Sequence, residues 1–305
     1  MKPGYLFSGQ GKQFAGMGHD LYSQESIYRQ TIEEASQILG KDMSDSKKFD
    51  DPANTQVSIV ILSTGIYRIL AHDLGQPVGA TGLSLGEYSG LIAANGLNFE
   101  EGLPLVRDRN HYMDQAGQHH PGKMAAVLKA TANIVDEACQ VGSKVGPVYP
   151  ANYNTDTQIV IGGSEAGLNA ATEYLHEHGI KRVVPLKMTV ASHTPFMQEA
   201  SDRLSKRLQS VDFRDPDFSV FSNTIIKPFT RMNVKKTLVD QLVTPTHFNE
   251  CLKELLNQDA DVLIEIGPGD TLMKFAKTII CNADKFHVDS LETLNQVRSN
   301  KKLVK

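Results

Sequence analysis

Val78-Gly79-Ala80-Thr81-Gly82-Leu83-Ser84-Leu85-Gly86-Glu87-Tyr88 decides the reading of the fold. Residues 78–81 form a short strand, and residues 87–94 form a compact helix that ends at Asn95-Gly96. Between them, Gly82-x-Ser84-x-Gly86 has the spacing of a sharp strand-to-helix turn, in which glycines relieve crowding and a serine hydroxyl is lifted clear of a sheet. Backbone N–H groups at the start of the helix then face any oxygen that gains negative charge. The alternative is a glycine-rich turn in which Ser84 merely caps the helix.

Outward from that turn the chain alternates strands and helices. Tyr5-Leu6-Phe7 is a short apolar strand that runs into Gly9-Gln10-Gly11, a loop whose backbone can approach a ligand closely. Val262-Leu263-Ile264-Glu265-Ile266, leading into Gly267-Pro268-Gly269, is a nearly continuous apolar run, as expected of a parallel strand covered on both faces. Residues 218–222 add another strand. Helices are predicted at 28–39, closed by Gly40, and at 57–70, 195–208 and 248–257.

From 123 to 190 the elements shorten. A strand at 124–128, a helix at 134–140, a short strand centred on Val148-Tyr149, a strand at 158–162, a helix at 167–178 and a strand at 182–188 give the order βαββαβ, the ferredoxin-like arrangement. The expected fold is therefore α/β: a hydrolase-like large domain with a parallel sheet, built from 1–122 and 191–305, and an inserted ferredoxin-like small domain at 123–190.

Composition narrows the function. Of 305 residues, 40% are hydrophobic and 22% charged, the balance of a globular protein with a sizeable core. A net charge of −4 argues against nucleic acid as a partner, because phosphate backbones are bound by basic surfaces. The N-terminus turns polar too soon for a secretory signal, and no uninterrupted apolar run approaches the ~20 residues that span a bilayer. The expectation is a cytoplasmic protein with no membrane contact. Cys139, Cys251 and Cys281 are odd in number and widely spaced, so they read as buried free thiols, with no metal site. The end of the chain, with Lys301, Lys302 and Lys305, reads as a mobile tail.

A serine nucleophile needs a base, and histidine has the pKa for that task. Of ten histidines, His193 in Val190-Ala191-Ser192-His193-Thr194-Pro195 lies where the small unit returns the chain to the large one, so it can face a cleft between them. His119, His120, His176 and His178 read as solvated surface. An ordinary interdomain histidine remains the alternative for His193.

Phe7-Ser8-Gly9-Gln10-Gly11, Gly82-Leu83-Ser84-Leu85-Gly86-Glu87-Tyr88, Val106-Arg107-Asp108-Arg109, Ser192-His193 and Glu265-Ile266-Gly267-Pro268-Gly269 follow one another in a familiar order and spacing. In these segments the chain resembles the malonyl-CoA:acyl carrier protein transacylase family, nearly from end to end. The resemblance implies that Ser84 attacks a thioester carbonyl, and that His193 accepts its proton and later deprotonates the incoming thiol. It implies an oxyanion hole from the backbone N–H groups of Gln10 and Leu85, where by residue type alone Gln10 reads equally as a loop glutamine whose side chain caps a neighbouring turn. It also implies that backbone carbonyls, not an acid, steer the histidine. The position matched to the family residue near that histidine is His247, where many members have glutamine; the favoured alternative is that His247 is a plain helix-start residue.

The same resemblance makes Arg109 the residue that binds the free carboxylate of the malonyl group, through two parallel hydrogen bonds. By residue type alone, an arginine beside Arg107 and Asp108 is more often exposed. Met113, one helical turn on, would lie on the same face as Arg109 and line the acyl pocket, although core packing explains a methionine equally well. Asn154 and Asn152 match family asparagines near the pocket, although asparagine in a loop is more often a turn residue. Leu83 stands where most members have histidine and Ser8 where proline is usual; both read as tolerated variation. The implied partners are malonyl-CoA and holo acyl carrier protein, the latter landing near Lys181, Arg182 and Lys187. The implied enzyme is a monomer without a cofactor. An acyl hydrolase of the same fold, a polyketide-synthase acyltransferase and a noncatalytic subunit are the alternatives.

Overall fold

Tyr5, Leu6 and Phe7 have no exposed surface, as a strand with parallel neighbours on both sides and helices on both faces must have. The computed structural model describes residues 2–187 and 190–300. Its strands are β1 (Pro3–Phe7), β2 (Gly79–Gly82), β3 (Lys123–Leu128), β4 (Val148–Thr155), β5 (Gln158–Gly163), β6 (Arg182–Pro185), β7 (Val220–Phe221), β8 (Val262–Ile266) and β9 (Asp284–Val288).

One sheet has the order β7-β2-β1-β8-β9, and every pairing in it is parallel. The register sets Phe7 opposite both Gly82 and Ile266. The loops that follow β1, β2 and β8 therefore leave the sheet side by side at its C-terminal edge, where open α/β sheets place their ligands. Behind them runs the helix Thr55–Leu74. It is long and apolar enough to cross a membrane by length and composition, yet residues 56–67 are buried, so it serves as the core helix of this sheet.

The second sheet is antiparallel, in the order β4-β5-β3-β6, with the βαββαβ succession expected from the sequence. Alternation along β3 divides its side chains between two faces. Ala125 and Val127 pack with Val135, Ile161 and Leu175 under the helices Ala132–Gly142 and Glu165–Glu177, whereas Met124 and Ala126 pack with Val160 on the other face. This sheet is also joined to the large one. Thr246 N–H donates to Ala151 O at 2.9 Å, Tyr153 N–H donates to Thr246 O at 2.7 Å, and Asn152 Nδ2 donates to Thr246 Oγ1 at 2.8 Å.

Several local expectations change. β4 is eight residues long, so Asn152 and Asn154 lie on a strand and not in a loop. The strand expected at 182–188 ends at Pro185; Met188 lies outside the described residues, as do Lys301, Lys302 and Lys305. The helix expected at 195–208 opens with a 3-10 turn, Pro195–Met197, because Thr194 caps it there. β9 and the helix Leu291–Ser299 were not expected: an edge strand reading Asp-Lys-Phe-His-Val, half-buried throughout most of its length, has no two-sided apolar signature. Cys139 and Cys251 are buried, whereas Cys281 is partly exposed, in the connection leading to β9.

Candidate active site

The turn after β2 carries Ser84 with φ 56°, a left-handed conformation that costs a non-glycine residue energy and is retained where neighbours enforce it. The enforcement is steric. A Cβ on Gly82 would lie 2.3 Å from the Gly86 carbonyl carbon, and one on Gly86 would lie 2.0 Å from Phe7 O, so the turn closes only with glycine at both places. The helix Gly86–Ala93 has no side-chain cap, which removes the capping role considered for Ser84. Its Oγ instead accepts a hydrogen bond from Arg109 Nη2 at 3.1 Å. Both side chains face a cavity of about 400 Å³, roofed by Met124, Ala126 and Val160 of the antiparallel sheet.

Arg109 lies on the helix Phe99–His119, only 1% exposed, so the surface reading does not hold. Its neighbour Asp108 points the other way and pairs with Arg207 at 2.7 Å. The guanidinium donates to Gln56 Oε1 at 2.7 Å and to Gln241 Oε1 at 3.2 Å, and its Cζ sits 5.3 Å from the centroid of the Tyr88 ring. Nε has no partner, and among the described residues no carboxylate lies within ion-pair distance. Burial lowers the pKa from the ordinary guanidinium value, but arginine in a protein keeps its charge. The result is a buried cation that lacks a counter-ion in contact and borders a cavity.

His193, 4% exposed and with φ 61°, also lines this cavity. Its Nδ1 is 2.7 Å from Gln241 O. A carbonyl can only accept, so Nδ1 carries the proton and Nε2 keeps a free lone pair. Burial pushes the imidazole pKa down to about 4, the Gln241 carbonyl opposes that shift, and the nearby Arg109 adds to it. At neutral pH His193 is therefore uncharged and able to take a proton.

The carbonyl that holds His193 corrects the match to His247, which stands at the start of the helix Phe248–Leu256 as the alternative had it. It belongs to Gln241 and not to His247. Gln241 caps the end of the helix Val234–Asp240, where backbone carbonyls lack partners within the helix and are free to accept from outside. His247 stacks on Tyr153, with centroids 4.9 Å apart and planes 11° apart, and does not line the cavity. Sequence reading also missed Gln56, which links Arg109 to the loop after β1 by donating to Gln10 Oε1 at 3.2 Å.

The remaining candidates divide. Gln10 and Leu85 border the cavity, and among the described residues neither backbone N–H donates to a protein acceptor. Met113 and Asn154 line it too, and the buried Asn154 Oδ1 has no partner. Asn152 borders it while bonded to Thr246. Lys187 reaches the cavity, whereas Lys181 and Arg182 do not. Ser8, in place of a proline, donates to the buried Glu265 at 3.0 Å, and Leu83 borders the cavity.

Comparison with known proteins agrees with this geometry. The family model described as an acyl transferase domain matches residues 4–294. The malonyl CoA-acyl carrier protein transacylase of Bacillus subtilis is 32% identical over 304 residues, covering 96% of this chain and 95% of the relative. The crystal structure of MCAT from Streptococcus pneumoniae superposes with a TM-score of 0.92 at 39% identity, covering 97% of this chain and 98% of that one. A malonyl-transacylase solved in complex with its type II PKS acyl-carrier protein superposes with a TM-score of 0.90 at 29% identity, covering 97% and 98%. A likeness at this level, over almost the whole length of both partners, places the chain in the acyl transferase domain family, among the malonyl CoA-acyl carrier protein transacylases.

Proposed function

We infer that this enzyme moves a malonyl group from malonyl-CoA to the phosphopantetheine thiol of acyl carrier protein, supplying fatty acid synthesis. The observation that carries the reading is the buried Arg109 guanidinium hydrogen-bonded to Ser84 Oγ at 3.1 Å. A malonyl thioester has its carboxylate one methylene beyond the reacting carbonyl. A cation beside a serine hydroxyl suits that short molecule, the carboxylate going to the guanidinium and the carbonyl carbon to Oγ.

In the first half-reaction His193 Nε2 takes the Oγ proton as Ser84 attacks, and the carbonyl oxygen turns its negative charge toward the N–H groups of Gln10 and Leu85. The C–S bond breaks, and the departing coenzyme A sulfur takes the proton from His193. In the second half the carrier thiol gives its proton to His193 and attacks the ester, and Ser84 leaves with that proton restored. The apolar roof of Met124, Ala126 and Val160 disfavours water as a competing acceptor. Acetyl-CoA leaves the buried cation unpaired, a mismatch that sites of this type reject by about 10⁴ in favourable cases. Residues 123–190 act as the small domain that supplies the roof. Lys187 at the cavity, with Lys181 and Arg182, receives the acidic carrier, and the enzyme works as a cytoplasmic monomer.

The test is the intact mass of wild type and Ser84→Ala after brief exposure to malonyl-CoA or acetyl-CoA, followed by a chase with holo acyl carrier protein. A malonyl adduct on wild type alone that moves to the carrier supports the reading. An adduct that decays to free malonate with the carrier unlabelled replaces it with a hydrolase.

A further inference from the structure

Glu87 lies three residues beyond Ser84, has no exposed surface, and meets neither the cavity nor an ion-pair partner among the described residues. Its two oxygens are nevertheless both engaged. Oε1 accepts from the backbone N–H of Asn223 and Oε2 from the side-chain amide of Gln241. Asn223 Oδ1 in turn accepts from Ser84 N–H at 3.4 Å.

Gln241 is where these contacts converge. Its Nε2 also donates to Ser84 O at 3.1 Å, its Oε1 accepts from Arg109 at 3.2 Å, and its backbone carbonyl holds His193 at 2.7 Å. One residue thus touches the nucleophile's backbone, the cation and the base. An amide can point either way unless its partners choose for it. Above about pH 7, to which burial raises the Glu87 carboxyl, a carboxylate that only accepts stands on one side and a guanidinium that only donates on the other, so a single orientation satisfies both.

We propose that Glu87 is a positioning residue for acyl transfer: it sets the side-chain amide of Gln241, and through it the placement of Arg109 and the Ser84 turn. The proposal rests on the reading of Arg109 as the carboxylate site. Replacing Glu87 by its near-isosteric amide makes the mechanism visible. In Glu87→Gln the new side-chain oxygen must still face the fixed Asn223 N–H, which turns its NH₂ toward the NH₂ of Gln241. Gln241 then either loses that bond or flips, and a flip aims its NH₂ at Arg109 and its oxygen at Ser84 O.

The experiment is a double-mutant cycle of Glu87→Gln and Gln241→Met at pH 8. Single-turnover acylation by malonyl-CoA and by acetyl-CoA is read together with the thermal unfolding midpoint. Gln241→Met keeps the backbone carbonyl for His193 and removes the amide. Each single variant is expected to lower the malonyl-to-acetyl preference by about tenfold or more, the size of a lost hydrogen bond to a charged group. The double variant is expected to lose no more than the worse single one, because both break the same link.

Preference unchanged in Glu87→Gln, or losses that add in the double variant, overturns the proposal. If Glu87→Gln does not fold, Gln241→Met alone decides, an unchanged preference being the overturning result. Arg109→Lys is run beside them. If it keeps the full malonyl preference, the Arg109 reading fails and the proposal with it. If it loses the preference while Glu87→Gln keeps it, only the role of Glu87 fails.

Discussion

Arg109 Nη2 and Ser84 Oγ are 3.1 Å apart and share a hydrogen bond, so the cation proposed to select the substrate also occupies the oxygen of the proposed nucleophile. A substrate carboxylate that claims the guanidinium competes for that donor and leaves Oγ to turn toward His193. Arg109→Ala is expected to lower kcat/KM for malonyl-CoA by about 10²-fold or more, as loss of a desolvated charge partner does, with a much smaller change for acetyl-CoA. Rapid-quench acylation with both thioesters checks this, and an equal loss for the two would assign Arg109 to structure alone.

The low pKa of His193 predicts a displaced acid limb. Burial holds the folded value at about 4 against an ordinary 6.5, so the imidazole stays a base until the pH falls through about 4. The His193 limb of malonyl-CoA acylation, read by rapid-mixing pH jumps, should fall near pH 4, below a separate, shallower loss near pH 7 where the buried Glu87 takes up its proton, whereas an unperturbed histidine would halve the rate near 6.5. The same shift enters stability. Between these values the unfolded chain binds a proton that the native one does not, so the contribution of His193 is present above pH 6.5 and is lost as the pH falls toward 4.

Gly86→Ala is expected to destabilise by more than about 3 kcal/mol or to prevent folding, since the new Cβ would sit 2.0 Å from Phe7 O, backbone that cannot yield without breaking the β1–β2 register. Ser84→Ala is the control. It keeps a Cβ that the turn already accommodates, and its unfolding midpoint should stay within about 2 °C of wild type while acylation disappears. Differential scanning calorimetry on both separates the steric demand of the turn from its chemistry.

His247→Leu should leave the acylation rate within about twofold of wild type and cost about 1 kcal/mol of stability, through loss of the stack on Tyr153. A rate loss of 10²-fold or more would return His247 to the catalytic apparatus.

That Ser84, His193 and Arg109 line one cavity was legible because each lies in a segment whose residue types and order carry a signature: glycines around the serine, the Ser-His pair, the charged Arg-Asp-Arg run. The parallel strands were legible for a similar reason, since β1 and β8 are apolar on both faces. Gln241 was not, because what it presents to His193 is a backbone carbonyl, and every residue has one. Only the end of the helix Val234–Asp240 in three dimensions shows which carbonyl is free. Glu87 stood inside a recognised motif yet showed no role, as its partners Asn223 and Gln241 are more than 130 positions away. Asn152 and Asn154 read as turn residues because isolated asparagine disfavours strands. In the structure β5 and the Thr246 segment flank β4 and supply the pairing that local preference does not.

The three bonds from β4 to Thr246 give the roof a third anchorage, besides the two places where the chain crosses into it and out again. Hydrogen bonds at that place oppose a swing of the roof away from the large sheet. Resistance to that swing favours a constant height of the slot above Ser84. Motion in the reaction then falls mainly to the long pantetheine arm that donor and acceptor each bring to it.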